Sequence, residues 1–406
     1  MMEQTKLVPK RRFKEFQNAH AWEQRKLRRI AEFNPKAELP ETFKYVDLES
    51  VVGTEMIAYR EERKATAPSR AQRLARQGDL FYQTVRPYQK NNYLFEKPCN
   101  NYVFSTGYAQ LRPYGDGYFL LSLVQTEQFV KMVLDRCTGT SYPAINSNDL
   151  AEMEVSVPLK GDEQIQIGKF FKNLDHLITL HQRKLEKTKA LKSAYLSEMF
   201  PAEGERVPKR RFAGFTDPWE QRKLGELANF SKGNGYSKGD LVENGYPIIL
   251  YGRLYVNYET VINVIDTFVD IKANSVISEG NEVIVPASGE TAEDISRASV
   301  VGKPGIILGG DLNIIKPNSK IDPTFLALTI SNGKQQKEMS KRAQGKSVVH
   351  LHNSDLKQVN FLYPELKEQQ KIGQFFVQLD NFITLHQRKL EKLQSIKKAY
   401  LNEMFV

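Results

Sequence analysis

The sequence predicts an α+β protein: two mixed α/β globular heads separated by a pair of long antiparallel coiled-coil helices, with the whole built as a pseudo-twofold internal repeat. Three matched strings predict it. ITLHQRKLEK fills Ile178–Lys187 and returns letter for letter at Ile383–Lys392. WEQRKL at Trp22–Leu27 returns at Trp219–Leu224, and VPKRRF at Val8–Phe13 returns at Val207–Phe212. Between these strings the copies differ. A period this long points to a duplicated unit. Identical frames around unlike interiors imply two supports of one kind carrying two different heads.

The elements follow in chain order. Residues 1–21 form an N-terminal arm, 22–158 the first head, 159–200 a central helix, 201–218 a connector, 219–364 the second head and 365–406 a C-terminal helix. From Trp219 to Ile383 the chain is eight residues longer than from Trp22 to Ile178. The extra residues therefore fall inside the head, where surface loops accept insertions.

Each head reads as β-rich. DLFYQTVRPY and NYVFSTGYAQLRP in the first, and YPIILYGRLYVNY, NEVIVPAS and ASVVGKPGIILGG in the second, alternate as strands do between turn residues. One amphipathic helix per head is expected, near Tyr118–Arg136 and Thr324–Arg342. GKPGIILGG reads as a hairpin.

The frames close in helices. Ile167, Phe171, Leu174, Ile178, His181 and Leu185 step by four and three, as do Ile372, Phe376, Leu379, Ile383, His386 and Leu390. That is a coiled-coil seam. Pro158 and Gly161 precede the first helix and Pro201 follows it. Each helix covers about 37 residues, or roughly 55 Å. AYLNEMF ends the second helix near Val406, as AYLSEMF ends the first before the connector. The N-terminal arm repeats the far side of that connector, so the two termini are expected close together.

Composition narrows the function. A net charge of +10 and a pI of about 9.2 favour a polyanionic partner. Cys99 and Cys137 have no CxxC spacing, which removes a zinc framework and fits a reducing cytoplasm. No stretch is apolar for the roughly 18 residues that a membrane span needs, and the first residues lack the apolar core of a signal peptide.

Aligning the two copies exposes three slots where the scaffold agrees and the tips differ. Slot one follows Gly78-Asp79 and Gly280-Asn281; it offers Gln83, Thr84, Arg86, Tyr88 and Lys90 in the first head, and Ser288, Glu290, Thr291 and Arg297 in the second. Slot two ends at Arg112-Pro113 and Lys316-Pro317. Slot three opens with Arg136 and Arg342; it offers Thr138, Thr140 and Ser141 against Gln344, Lys346 and Ser347. These residue types read base edges and hold phosphates.

Four lookalikes fail. Gly345-Lys346-Ser347 lacks the glycine that a phosphate-binding loop needs five residues earlier, where Ser340 stands. Asn34-Pro35-Lys36-Ala37 faintly resembles an amino-methyltransferase motif, but the second copy has Ser231-Lys232 there. His350 and His352 have no third metal ligand nearby in sequence, and neither do His181 and His386. No paired acids or cofactor fingerprint appear, so no catalytic centre is expected.

Each head opens with W-x-x-x-K-L and closes with a motif carrying Glu163-Gln164, Ile167, Leu174-Asp175 and Ile178, or Glu368-Gln369, Ile372, Leu379-Asp380 and Ile383. In duplicated order these resemble the DNA-specificity subunit of type I restriction–modification enzymes, over nearly the whole chain. The resemblance implies that each head is a target-recognition domain for one half of a bipartite double-stranded DNA site. It implies that the helices are a ruler and a dock for two modification subunits. Those would carry S-adenosylmethionine-dependent adenine methylation, while restriction subunits with ATP and Mg cut DNA. This chain would then hold no cofactor and do no chemistry. The rival reading is a two-headed coiled-coil adaptor for a partner other than DNA, which would show no salt-dependent DNA binding.

Overall fold

The computed structural model describes residues 7–292, 294–342 and 348–406. The chain divides into two compact units, each mixing helix and sheet. The first holds residues 1–181 with 389–406; the second holds 182–388.

In the first unit the frame strand Glu23–Lys26 pairs antiparallel with Glu154–Val157, which closes the head. One four-stranded sheet runs in the order Ala31–Phe33, Tyr108–Pro113, Leu80–Gln83, Tyr93–Leu94. A second runs Arg60–Arg63, Thr42–Val46, Tyr102–Ser105, Ala71–Leu74. Phe81, Phe95, Phe104 and Tyr108 are fully buried together, with Phe81 stacked on Phe104.

The second unit repeats the frame and varies the filling. Glu220–Lys223 pairs with Asn360–Tyr363. A five-stranded sheet runs Ala228–Lys232, Leu312–Pro317, Val283–Pro286, Ser299–Val301, Val261–Ile262. Ile307–Leu308 lies instead in a separate four-stranded sheet, parallel to Tyr246–Ile249. GKPGIILGG is therefore a crossover between sheets, not the expected hairpin. Ser299 and Val300 pair with Val283–Ile284, whereas Ile307 and Leu308 pair with Ile248 and Ile249.

The single helix expected in each head is two. Gly117–Val124 ends before Thr126, whose side chain caps Glu127–Leu134 by accepting from Phe129 N. Pro323–Ser331 ends before Gly333, which adopts a left-handed φ of 68° and starts Gly333–Arg342. YPIILYGRLYVNY also departs from expectation: Tyr246–Ile249 is a strand, but Arg253–Val256 is a helical turn.

The two frame helices span Gly161–Glu198 and Leu366–Met404. In the first unit Phe170 sets its ring edge on Tyr400 at 5.1 Å, and Asp175 pairs with Lys397 at 2.6 Å. In the second, Tyr195 meets Phe375 at 5.0 Å and Lys192 pairs with Asp380. The repeated VPKRRF strings explain themselves here. Arg12 clamps Glu163 through two hydrogen bonds of 2.8 and 2.6 Å, and Arg211 clamps Glu368 at the same two distances. Arg11 N donates to Glu403 O as Arg210 N donates to Glu198 O, both at 2.9 Å. The N-terminal arm thus packs on the end of the second helix, as the connector packs on the end of the first.

Each head docks on its helix at a glycine. A Cβ on Gly168 would come 2.0 Å from Oδ1 of Asp116, the residue that caps Gly117–Val124. On Gly373 it would come no nearer than 3.2 Å to Asp322. We expect Gly168→Ala to destabilise the first unit by about 1–3 kcal/mol through overpacking. Gly373→Ala should be near neutral, because helix propensity offsets mild crowding by about 0.5–1 kcal/mol. Equal thermal shifts in the two variants would refute this.

Candidate nucleic-acid interface

Slots one and three come together in both heads, on the same piece of backbone ladder. In the first head Ile145 N donates to Thr84 O at 3.0 Å, and Val85 bridges Ala144. In the second, Leu351 N donates to Ala287 O at 3.0 Å, and Ser288–Gly289 pairs with Val349–His350. Residues some 60 positions apart therefore form one tip.

Within the first tip the predicted residues divide by burial. Tyr88, Arg136, Thr138, Thr140 and Ser141 are exposed. The guanidinium of Arg136 makes no hydrogen bond or ion pair among the described residues. Gln83 and Thr84 are buried and brace the tip: Gln83 Nε2 donates to Val85 O and Gln89 Oε1, and Thr84 Oγ1 donates to Gly107 O. Arg86 has a left-handed φ of 53°, and its guanidinium lies 4.2 Å from the ring centre of exposed Tyr142. That contact joins slot one to slot three. Lys90, also left-handed at φ 56°, donates to Gln125 O and pairs with Glu127, each at 3.0 Å. Buried polar atoms without partners also occur here. Tyr82 Oη, Gln83 Oε1 and Arg86 Nε all lack one among the described residues, and burial pushes the Tyr82 hydroxyl well above the usual tyrosine range.

The second tip is tied differently. Ser288 is buried and donates to Asp311 at 3.1 Å. Thr291 is exposed and bonds Asp294, which also takes Arg297 at 3.0 Å. Arg342 is held by Glu338 at 3.1 Å and by Gln358 O at 3.4 Å. The aligned arginines thus part company: Arg136 is exposed and has no partner among the described residues, and Arg342 braces a helix end. Gln344, Lys346 and Ser347 lie outside the described residues.

Slot two does not join the tips. Arg112 sits beside buried Asp79 in a two-pronged pair of 2.8 and 3.0 Å, at the opposite end of strand Leu80–Gln83. Lys316 pairs with Glu279 at the corresponding place, and that hydrogen bond raises its pKa. Arg112 is thus tied to a buried carboxylate, and Lys316 to an exposed one. Alternation along a strand reports its faces and not which end meets a ligand.

Three residues at the tips, Tyr142, His350 and His352, lie outside the expected contacts. Tyr142 aligns with Val348, so no repeat marks it. His350 and His352 were considered only as metal ligands. Among the described residues no group of three or more His, Cys, Asp or Glu could hold a metal, and no helix is long and apolar enough to cross a membrane.

Two framed heads, each presenting a composite polar tip, define a protein with two recognition domains. Residues 64–190 and 216–395 match the model of the type I restriction modification DNA specificity domain. The chain belongs to this family and, as a type I restriction–modification specificity subunit, recognises DNA sequence. The MjaVIII specificity subunit of Methanocaldococcus jannaschii is 23% identical over 298 residues, 71% of this chain and 68% of that one. The putative MjaX specificity subunit of the same organism is 25% identical over 211 residues, half of this chain and 48% of that one. The solved S subunit of a type I restriction–modification system from M. genitalium shares the fold, with a TM-score of 0.65 at 15% identity, over 98% of this chain and 99% of that one.

Proposed function

We propose that this chain reads a bipartite, asymmetric double-stranded DNA site, one half-site per head, and does no chemistry itself. Two modification subunits dock on the frame helices and carry S-adenosylmethionine-dependent adenine methylation. Restriction subunits supply the ATP- and Mg-dependent motor and nuclease. The reading places the chain in the cytoplasm with its DNA. The observation that carries it is the shared ladder: Thr84–Ile145 and Ala287–Leu351 are equivalent main-chain bonds, and most of the side chains around them differ, as Ala144 and Asn146 do from His350 and His352. The same support presenting unlike chemistry is what two unequal half-sites require. Footprinting on random duplex DNA with the modification subunit present tests it; two protected half-sites of unlike sequence are expected, and protection of none counts against it.

Direct contacts are assigned to Tyr88, Arg136, Thr138, Thr140, Ser141 and Thr291. Gln83, Thr84, Arg86, Lys90, Ser288, Arg297 and Arg342 shape the tips. Arg136→Ala should weaken binding by about 1–3 kcal/mol and relax one position of the first half-site if it pairs with a base edge. A phosphate contact would weaken all sequences alike and flatten the salt dependence. Unchanged binding removes Arg136 from the interface.

The frame helices act as an antiparallel coiled-coil spacer between pseudo-twofold related heads. The opposed contacts Phe170–Tyr400 in one unit and Tyr195–Phe375 in the other support this direction. Four residues inserted after Lys187 would add about one turn, roughly 6 Å, and break the seam register. The preferred spacer between half-sites should lengthen, or assembly should fail; an active complex with its spacer unchanged would exclude the ruler.

A further inference from the structure

We propose that His350 and His352 read base edges of the second half-site. This rests on the two-headed DNA reading and adds which residues of the second head do the reading. Val349–His350 is the strand that joins slot three to slot one, with His350 in register with Ser288. Between the two histidines Leu351 is fully buried, and its N–H is bonded to Ala287 O. Strand alternation then sends both imidazoles to one face. The rings lie parallel within 6°, centres 6.4 Å apart, and both residues are exposed. The main chain is fixed on either side, by Ser288 and by the bond from His352 N to Asp355 at 3.1 Å. Side chains anchored in this way are placed before a ligand arrives.

Three features favour bases as the ligand. The His350 imidazole has both ring nitrogens open to a base edge, while the His352 side chain accepts from Asp355 N in a capping box and so keeps its other ring nitrogen for a base. A separation of 6.4 Å is close to twice the roughly 3.4 Å rise between bases on a strand, so the rings suit positions two steps apart. The first head carries Ala144 and Asn146 at the aligned places. The pair thus belongs to one head alone, as a residue that sets specificity must when the half-sites differ.

The test installs the first head's residues, as His350→Ala, His352→Asn and the double variant, in the full chain bound to its modification subunits. Asn146 already caps the matching helix in the first head by accepting from Asp149 N, so His352→Asn preserves that helix start. Bound sequences are selected from random duplex DNA at several salt concentrations. Each single variant is expected to relax one position of the second half-site, and the double variant two positions separated by one base pair. Affinity for the wild-type site should fall about tenfold per histidine, with the first half-site unchanged. Unaltered base preference overturns the proposal. So does equal weakening for every sequence with a flatter salt dependence, which would give the histidines to phosphates. If His350→Ala shifts the thermal unfolding of the second unit, His350→Gln replaces it in the selection, and retained preference there likewise overturns the proposal. A wild-type complex that selects no second half-site fails the two-headed reading itself.

Discussion

Exchanging residues 219–364 for the corresponding head of another family member is expected to replace one half of the recognised DNA site and leave the other half intact. The physical basis is the separation of frame from filling. Trp219 and Leu224 are buried against Phe200, Phe325 and Ile372 in one core, and Trp22 and Leu27 take the same place against Phe119, Phe171 and Phe405 in another. The head joins its frame through the strand pair Glu220–Lys223 with Asn360–Tyr363. A foreign head that brings its own W-x-x-x-K-L strand keeps those contacts. The measurement is selection from random duplexes before and after exchange. A change in both half-sites would show that the heads are not independent readers.

Glu163→Ala should cost the first unit about 3–5 kcal/mol, the penalty for leaving one partner of a buried ion pair behind. Glu163 is 3% exposed and Arg12 is 4% exposed, so the guanidinium would be left in the interior without its counter-ion. Trp22 Nε1, which donates to the same carboxylate at 3.3 Å, would also lose its acceptor. Glu163 stands in the first turn of its helix, where a negative charge also meets the helix dipole favourably. At about 2–4 °C per kcal/mol for a unit of this size, the first unit's unfolding should shift down by roughly 6–20 °C. Glu368→Ala should lower the second unit in the same way, because Arg211 holds Glu368 with the same two bonds. A Glu163→Ala chain that melts like wild type would show that the arm is not clamped to the frame.

The frame was legible in the sequence because it is written twice. Identical strings must satisfy identical surroundings. Trp22 with Trp219, Leu27 with Leu224 and Glu163 with Glu368 all proved buried in matching places. The helices were legible because their apolar spacing persists for ten turns. The heads were legible as β-rich and unlike, but not in their connections. Thr126 and Gly333 cut the expected helices because a capping side chain and a left-handed glycine outweigh a continuing apolar pattern. Ile307 and Leu308 joined a different sheet from Ser299–Val301 because strand pairing is decided by non-local partners.

The sequence by itself determined that one framed unit is written twice and which stretches vary between the copies. These are periodic or repeated properties, carried by neighbours along the chain. Only the tertiary structure decided which variable stretches act together. It brought slot three onto slot one through the bonds Thr84–Ile145 and Ala287–Leu351, and it sent slot two to the far end of the sheet, where Arg112 and Lys316 are neutralised by Asp79 and Glu279. It also separated Arg136 from Arg342, which alignment makes equivalent. A cation's role depends on the carboxylates that folding places beside it, and those come from residues tens of positions away.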